Sequence, residues 1–194
     1  EPSSSALVFY WGVNIHSEKL DIHNILFSQN YKDEFGELFE KKMYPHDPTV
    51  YIYISSKFAK GDAPPGAENW FVMINAPYAN DNLKTCGYEY VKKVIINKIK
   101  NMTGYDICNK IITEKVMTPF DIEKQTGSYK GSIYGISSNN MKAAFLRQAN
   151  KSREYRGLYF CGGSAHPGGG IPLVILSGKL CSEILIKSIK QKNT

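Results

Sequence analysis

The stretch GLYFCGGSAHPGGGIPLVILSGKLCSEIL, residues 157–185, carries the clearest structural signal in the chain. It begins with a short apolar segment, Leu158–Cys161, whose composition predicts a β-strand. Five glycines follow, at positions 162, 163, 168, 169 and 170. Pro172 then stands at the expected start of a helix, where its missing N–H leaves no donor unpaired. Apolar residues recur at three- and four-residue steps up to Ile189, so the stretch predicts a strand, a glycine-rich turn and a helix.

The predicted helix start is a candidate binding site for an anionic or carbonyl-rich group. Glycines leave backbone N–H groups uncovered by side chains, and the helix dipole adds partial positive charge there. The alternative is a turn that binds no ligand, although three successive glycines, Gly168–Gly170, cost backbone entropy. The spacing matches neither G-x-G-x-x-G nor G-x-x-x-x-G-K-[ST], so the sequence contains no complete nucleotide-binding fingerprint.

The preceding residues alternate short apolar runs with helical patterns. Strands are predicted at Ala6–Val13, His23–Phe27, Val50–Ile54, Trp70–Asn75 and Ile111–Met117. Helices are predicted at Tyr31–Lys42, at Leu83–Met102 and after the N-cap Thr118. The apolar stripe of the second helix is predicted to comprise Tyr90, Val94, Ile95, Ile99 and Met102, although Gly87 weakens the start of that helix. This order predicts an α+β fold built on a mostly antiparallel sheet.

The composition is that of an ordinary globular protein: 194 residues, 42% apolar, with a net charge of +6. The lysines of KSIKQKNT, at the end of the chain, indicate either a solvated tail or attraction to an anionic membrane surface. No basic helix or zinc pattern favours nucleic-acid binding.

Four cysteines without a C-x-x-C pair indicate free thiols in a reducing compartment, so we expect a cytoplasmic protein. Charges at Lys179, Glu183 and Lys187 make the last helix amphipathic or buried rather than membrane-spanning.

The stretch GLYFCGGSAHPGGGIPLVILSGKL closely resembles the C-terminal flavin motif of the bacterial-type phytoene desaturases, which are FAD-dependent carotenoid desaturases. The resemblance covers nearly the whole chain. Its other parts are SSSALVFYWGVN, DIHNILFSQNYKDEFGELFEKK, DPTVYIYISSK, APPGAENWFVMINAP, TPFDIEKQTGSYKGSIYGIS and AAFLRQANKS. It implies a substrate domain over residues 1–128. It also implies that residues 129–194 return to a Rossmann-like FAD-binding domain of the α/β class, as its strand, glycine turn and helix.

The resemblance also implies which residues hold the cofactor. Gly162, Gly163 and Ser164 are expected near the ribityl and pyrophosphate part of FAD. The N–H groups around Gly170 and Ile171 are expected to face the N1/O2 edge of the flavin. The residues expected beside the flavin ring are His166, Pro167, Gly168, Gly169, Gly170, Ile171 and Pro172. His166 is either a general base or a packing residue. Tyr129, Tyr134 and Arg147 are candidates for the substrate tunnel, with packing as the alternative for each. No metal site is predicted, and no residue is assigned a catalytic role.

The resemblance implies that the chain is the C-terminal part of an enzyme that desaturates a lipophilic carotenoid by hydride transfer to the flavin and binds peripherally to a membrane. A related carotene isomerase or retinol saturase is an alternative, because the glycine motif is much the same in these enzymes. A catalytically silent substrate-binding piece is a second alternative. The family's proteins begin with a dinucleotide-binding segment, and this sequence opens directly on the strand-like SSSALVFYWGV. We therefore expect the isolated chain to lack part of the cofactor site, its partner being the N-terminal segment of the same enzyme.

Overall fold

The computed structural model describes residues 1–137 and 147–191 of the chain. The chain divides into two compact units. One is Ser4–Gly131, and the other combines Glu1–Ser3 with the described residues from Ser132 onward. This division lies close to the boundary expected between residues 128 and 129. The assignment of the two parts to a substrate domain and a flavin domain stays a prediction.

A five-stranded antiparallel sheet organises the first unit, which confirms the predicted fold class. Its strands are β1 (Ser5–Val13), β2 (His23–Leu26), β3 (Val50–Tyr53), β4 (Glu68–Ala76) and β5 (Ile111–Met117). They lie in the order β2-β3-β4-β1-β5. The two longest strands, β1 and β4, pair over their whole length from Ser5 opposite Ala76 to Val13 opposite Glu68. All five strands fall where the apolar runs predict them.

One face of the sheet forms the main core of this unit. Alternate residues of β1 and β4, such as Phe9, Trp11 and Trp70, point into it and are at most 2% exposed. The helix α3 (Glu89–Thr103) packs there through Ile95 and Ile99. Because strand side chains alternate between faces, the intervening residues of β1 and β4 line the second face. That face therefore needs its own cover, which the last helix of this unit provides at one end.

The predicted helix Leu83–Met102 is two helices, α2 (Asp81–Cys86) and α3. Gly87 separates them, with a φ of 64° that interrupts the helical backbone. The predicted apolar stripe is correspondingly wrong at its ends. Tyr90 and Met102 are about half exposed, and the buried positions are Val91, Ile95, Ile96, Ile99 and Thr103. The four-residue steps of this set follow from a helix that begins after Gly87 instead of running through it.

Two further helices complete the first unit. The helix α1 (Tyr31–Gly36) continues into a π-helical turn, Glu37–Lys41, where a regular helix was predicted to Lys42. The helix α4 (Pro119–Thr126) begins as expected at Thr118, which forms a capping box with Asp121. Through Ile122, α4 covers the second face of the sheet beside Ala6 and Val8.

The second unit contains the helix α5 (Ile171–Lys190), with Pro172 in its first turn as predicted. The predicted strand Leu158–Cys161 does not form as a ladder. Within the described residues it makes an isolated bridge between Tyr159 and Lys151. The Phe160 N–H also donates to Asn150 O. The segment is extended, but no described strand of this unit lies beside it to continue the pairing. The four cysteines are free thiols, as the sequence indicates.

Candidate functional site

The glycine-rich turn has a backbone that only glycine adopts readily. Gly162, Gly168 and Gly170 have φ values of 111°, 135° and 95°. A Cβ added to Gly162 or Gly170 would meet no other atom within 4 Å. At Gly169, by contrast, it would lie 2.9 Å from the Tyr134 ring. The backbone is therefore open to an approaching group at both ends of the turn, while the middle is packed against the protein.

The start of α5 fits the predicted contact with a negatively charged group. Gly170 is its N-cap, and none of the described side chains bonds to the first turn there. The first intrahelical bond is that from Val174 N–H to Gly170 O, 2.9 Å. Pro172 has no N–H, so the donors of the first turn are Ile171 and Leu173. A helix of 20 residues adds its dipole at this point.

The structure brings two of the three predicted tunnel residues to the turn. Arg147 donates from Nη1 to Tyr134 O at 3.0 Å and to Gly163 O at 3.2 Å. The Tyr134 ring packs against Gly169. Tyr129 lies in the other unit, in a short turn, and is 68% exposed. Arg147 and Tyr134 thus hold the turn in shape, and whether any of the three lines a tunnel stays a prediction.

The histidine of the turn is fixed through its backbone. Its N–H donates to Gln148 O at 2.8 Å, and its carbonyl accepts from the Asn150 side chain at 2.9 Å. The imidazole itself is exposed, as is the Ser164 side chain, and Pro167 is half-buried. This arrangement makes His166 a well-anchored backbone position, and it offers no partner within the described residues that prepares the ring as a base.

Asn150 and Ser177 are buried at the turn and were not among the predicted site residues. The Asn150 amide nitrogen lies within 3.2 Å of Phe160 O, His166 O and Ser177 Oγ. Ser177 is fully buried, and its Oγ accepts from the Gly162 N–H at 3.1 Å. A polar residue in a loop gives no periodic signal. Asn150-Lys-Ser matches a glycosylation sequon, but that match gives no hint of this role.

The helix α5 exposes large apolar residues near both of its ends. Ile171 and Ile175 are 78% and 69% exposed. The other large apolar residues that are exposed on it are Leu173, Val174, Leu176, Leu185, Ile186 and Ile189. None of the helices in the described part of the chain combines the length and hydropathy that crossing a membrane requires. Exposed apolar residues grouped at both ends of one helix indicate contact with another surface.

The second face of the sheet carries an aromatic groove of about 520 Å³. Tyr10, Phe71 and Tyr53 stand side by side on adjacent strands in its wall. The Tyr10 and Phe71 ring centroids are 5.5 Å apart, with the rings nearly perpendicular. Ile112 and Pro64 extend the apolar lining. Since α4 covers only the other end of this face, the groove is an open apolar surface on the sheet.

A buried carboxylate braces one end of the groove. Glu68 is 3% exposed and accepts from Ser17 N–H at 2.9 Å and Trp70 Nε1 at 2.8 Å, and it pairs with Lys57 Nζ at 2.9 Å. Burial by itself favours the protonated acid. The hydrogen bonds from Ser17, Lys57 and Trp70 outweigh it and hold the pKa of Glu68 below its ordinary value. The ionised Glu68 therefore fixes the loop that carries Ser17 to the edge of the sheet.

Known proteins similar to this chain modify carotenoids. The 1-hydroxycarotenoid 3,4-desaturase of a Flavobacterium species is 50% identical in an alignment of 191 residues that covers 95% of this chain. The 4,4'-diaponeurosporene oxygenases of Staphylococcus haemolyticus and Staphylococcus aureus MSSA476 are 37% and 38% identical over 180 residues, or 92% of the chain. The chain belongs to the carotenoid desaturase family. No family model matches it.

The match covers much less of these relatives than of the chain. The chain spans 38% of the length of the Flavobacterium desaturase and 36% of the staphylococcal oxygenases. Membership of the carotenoid desaturase family confirms the resemblance drawn from the glycine turn and the strands before it. These relatives are more than twice as long as the chain. Their names therefore describe whole proteins, and this chain corresponds to one part of each.

Proposed function

We propose that this chain is the C-terminal part of an FAD-dependent carotenoid desaturase. The observation that carries the proposal is the 50% identity to a 1-hydroxycarotenoid 3,4-desaturase over 95% of the chain. The glycine turn before α5 supports it, because it supplies the kind of helix start that stabilises a negatively charged group. In this reaction a carotenoid loses a hydride and, from the neighbouring carbon, a proton, and a C=C bond forms between the two carbons.

The residues of the turn fit FAD as their cofactor. Bound there, FAD would supply the oxidising group that accepts the hydride. FAD would contact Gly162 at its Cα, where no protein atom lies within 4 Å of an added Cβ. The Gly162 N–H would not contact FAD, because it already donates to Ser177 Oγ. The N–H groups of Gly170 and Ile171 would face the flavin edge where negative charge develops. The helix dipole of α5 would stabilise that charge, as an oxyanion hole does.

The aromatic groove supports a lipophilic substrate. Tyr10, Tyr53 and Phe71 give it flat apolar surfaces against which a polyene packs without leaving polar groups unpaired. Such a substrate is dissolved in membranes, so we propose a cytoplasmic enzyme bound peripherally to the membrane surface. The net charge of +6 favours binding to anionic lipids.

We further propose that the isolated chain is catalytically silent. It spans 38% of the Flavobacterium desaturase, and the exposed apolar side of α5 has the character of a surface that the remaining part of such an enzyme covers. In this view the partner of the chain is the dinucleotide-binding segment, which would also provide the contacts to the ADP half of FAD.

A chimera tests the proposed reaction. In it, this chain replaces the matching 191-residue segment of the Flavobacterium desaturase. Purified with FAD and supplied with a 1-hydroxycarotenoid in detergent, it is expected to form a product with two hydrogens fewer and a red-shifted absorption. A product with an added oxygen instead would favour the chemistry in the staphylococcal relatives' names. A geometric isomer of unchanged mass would favour a carotene isomerase. A chimera that binds FAD and leaves the carotenoid unchanged would contradict the proposal.

A further inference from the structure

The buried side chain of Asn150 connects the two ends of the glycine turn. Asn150 is 5% exposed, and its amide nitrogen donates to Phe160 O at 3.0 Å and to His166 O at 2.9 Å. These two carbonyls lie just before and within the turn. An asparagine amide carries two hydrogens, and these two contacts are its shortest. One side chain therefore closes the loop from Phe160 to His166.

Ser177 continues this connection into the helix α5. Its Oγ lies 3.2 Å from the Asn150 amide nitrogen and accepts from the Gly162 N–H at 3.1 Å. Ser177 is fully buried and is the one buried residue that the structure describes in α5. The hydroxyl thus ties the first glycine of the turn to the helix that the turn precedes.

The backbone of Asn150 adds a third connection. Its carbonyl accepts from the Phe160 N–H at 2.9 Å, so Asn150 holds both polar groups of Phe160. The glycines themselves contribute no side chains that could fix the turn, and they lose the most conformational freedom on folding. Hydrogen bonds from outside the turn must therefore select one conformation among the many that its glycines allow.

We propose that Asn150 and Ser177 are positioning residues for the cofactor turn. Both side chains are buried and would touch neither the proposed flavin nor the substrate. Asn150 holds the carbonyls of Phe160 and His166, and Ser177 holds the N–H of Gly162, so that these polar groups point inward. The N–H groups of Gly170 and Ile171 have no protein acceptor among the described residues and remain available at the helix start. The inference rests on the proposed FAD site.

The test uses the chimera defined above, purified with FAD, and two substitutions. Asn150→Asp keeps the size of the side chain but removes the donor, and Ser177→Ala removes the hydroxyl. Ser182→Ala is the matched control, because Ser182 is exposed on the same helix and donates to Lys179 O within that helix. We expect the first two to weaken FAD binding at least about tenfold, as the loss of a buried hydrogen bond does, and to shift the flavin absorption spectrum. Ser182→Ala is expected to change neither.

Hydrogen exchange of the FAD-free chimera gives a second readout that does not depend on activity. In Ser177→Ala the amides of residues 160–170 are expected to exchange about tenfold faster, with the β1 amides unchanged. The same FAD affinity, spectrum and exchange as the unsubstituted chimera would overturn the positioning role and leave the proposed function standing. Failure of the unsubstituted chimera to bind FAD would overturn both. If Asn150→Asp does not fold, the smaller Ser177→Ala change decides the question.

Discussion

The two units of the chain differ in how fully they bury their own apolar residues. In Ser4–Gly131, side chains such as Phe9, Trp70 and Ile95 are at most 1% exposed between the sheet and α3. In the second unit, α5 exposes most of its large apolar residues, with Ile175 at 69%. The first unit has the contacts of a self-sufficient domain core. The second has a tightly bonded turn and a helix whose apolar side lacks a cover among the described residues.

The largest loss of stability is expected from Phe9→Ala. Phe9 is fully buried, and its ring centroid lies 5.2 Å from that of Trp11. Removing it should lower the free energy of unfolding by about 3–5 kcal/mol, through lost burial and the cavity left behind. Urea denaturation followed by tryptophan fluorescence measures this. The neighbouring Tyr10→Ala, on the open face at 38% exposure, is the control. Equal losses for the two substitutions would contradict a core that lies on one face of the sheet.

Glu68→Gln is expected to lower the free energy of unfolding by about 2–3 kcal/mol at neutral pH, because Lys57 and Ser17 lose a buried carboxylate partner. The pKa of Glu68 lies below its ordinary 4.5, so below that value the unfolded chain takes up the proton first. The stabilisation is therefore complete above pH 4.5 and is lost as the pH falls through the lowered pKa. Denaturation curves of both proteins should converge on acidification. A difference independent of pH would contradict this role.

Thr118→Ala is expected to lower the free energy of unfolding by about 1 kcal/mol, because it removes the N-cap of α4. Thr118 Oγ1 bonds with the Asp121 carboxylate at 2.6 Å and accepts from the Asp121 N–H. Thr85→Ala is the control, since the Thr85 hydroxyl donates to Asp81 O within its own helix. Thermal unfolding measured by circular dichroism should separate the two. An equal shift in Tm would show that α4 does not depend on this cap.

The smallest effect is expected from Ile175→Ala in the isolated chain. It should change the free energy of unfolding by no more than about 0.5 kcal/mol, because the side chain is mostly exposed. In the chimera with the Flavobacterium desaturase the same substitution should cost about 2–5 kcal/mol, since we propose that the rest of the enzyme covers α5. Denaturant unfolding of both proteins gives the comparison. A negligible effect in both would mean that this side of α5 is not a buried interface.

The sequence predicted most of the sheet unit because its signals are local and periodic. Short apolar runs marked β1 and β4, and Thr118 marked the start of α4. The break at Gly87 was underestimated, since a glycine in a helical pattern is compatible with either a weak start or two helices. The strand at Leu158–Cys161 was overestimated, because composition predicts an extended segment but not the neighbour that pairs with it.

The candidate site was predicted in part. The glycines predicted the turn, since glycine readily adopts the positive φ values found there, and Pro172 predicted the start of the helix. Asn150 and Ser177 were missed because their role depends on hydrogen bonds between residues far apart in sequence. The aromatic groove was missed for a related reason: Tyr10, Tyr53 and Phe71 come together through strand pairing, which no single segment reveals.

The most direct test of the proposed FAD site is a titration of the purified chain and of the chimera with FAD, followed by flavin fluorescence and absorbance. We expect weak or no binding to the isolated chain and tight, one-to-one binding to the chimera. That result would agree with a turn that contributes one half of a cofactor site. Tight one-to-one binding to the isolated chain would contradict the need for a second segment. Failure of the chimera to bind FAD would contradict the assignment of the glycine turn to the cofactor.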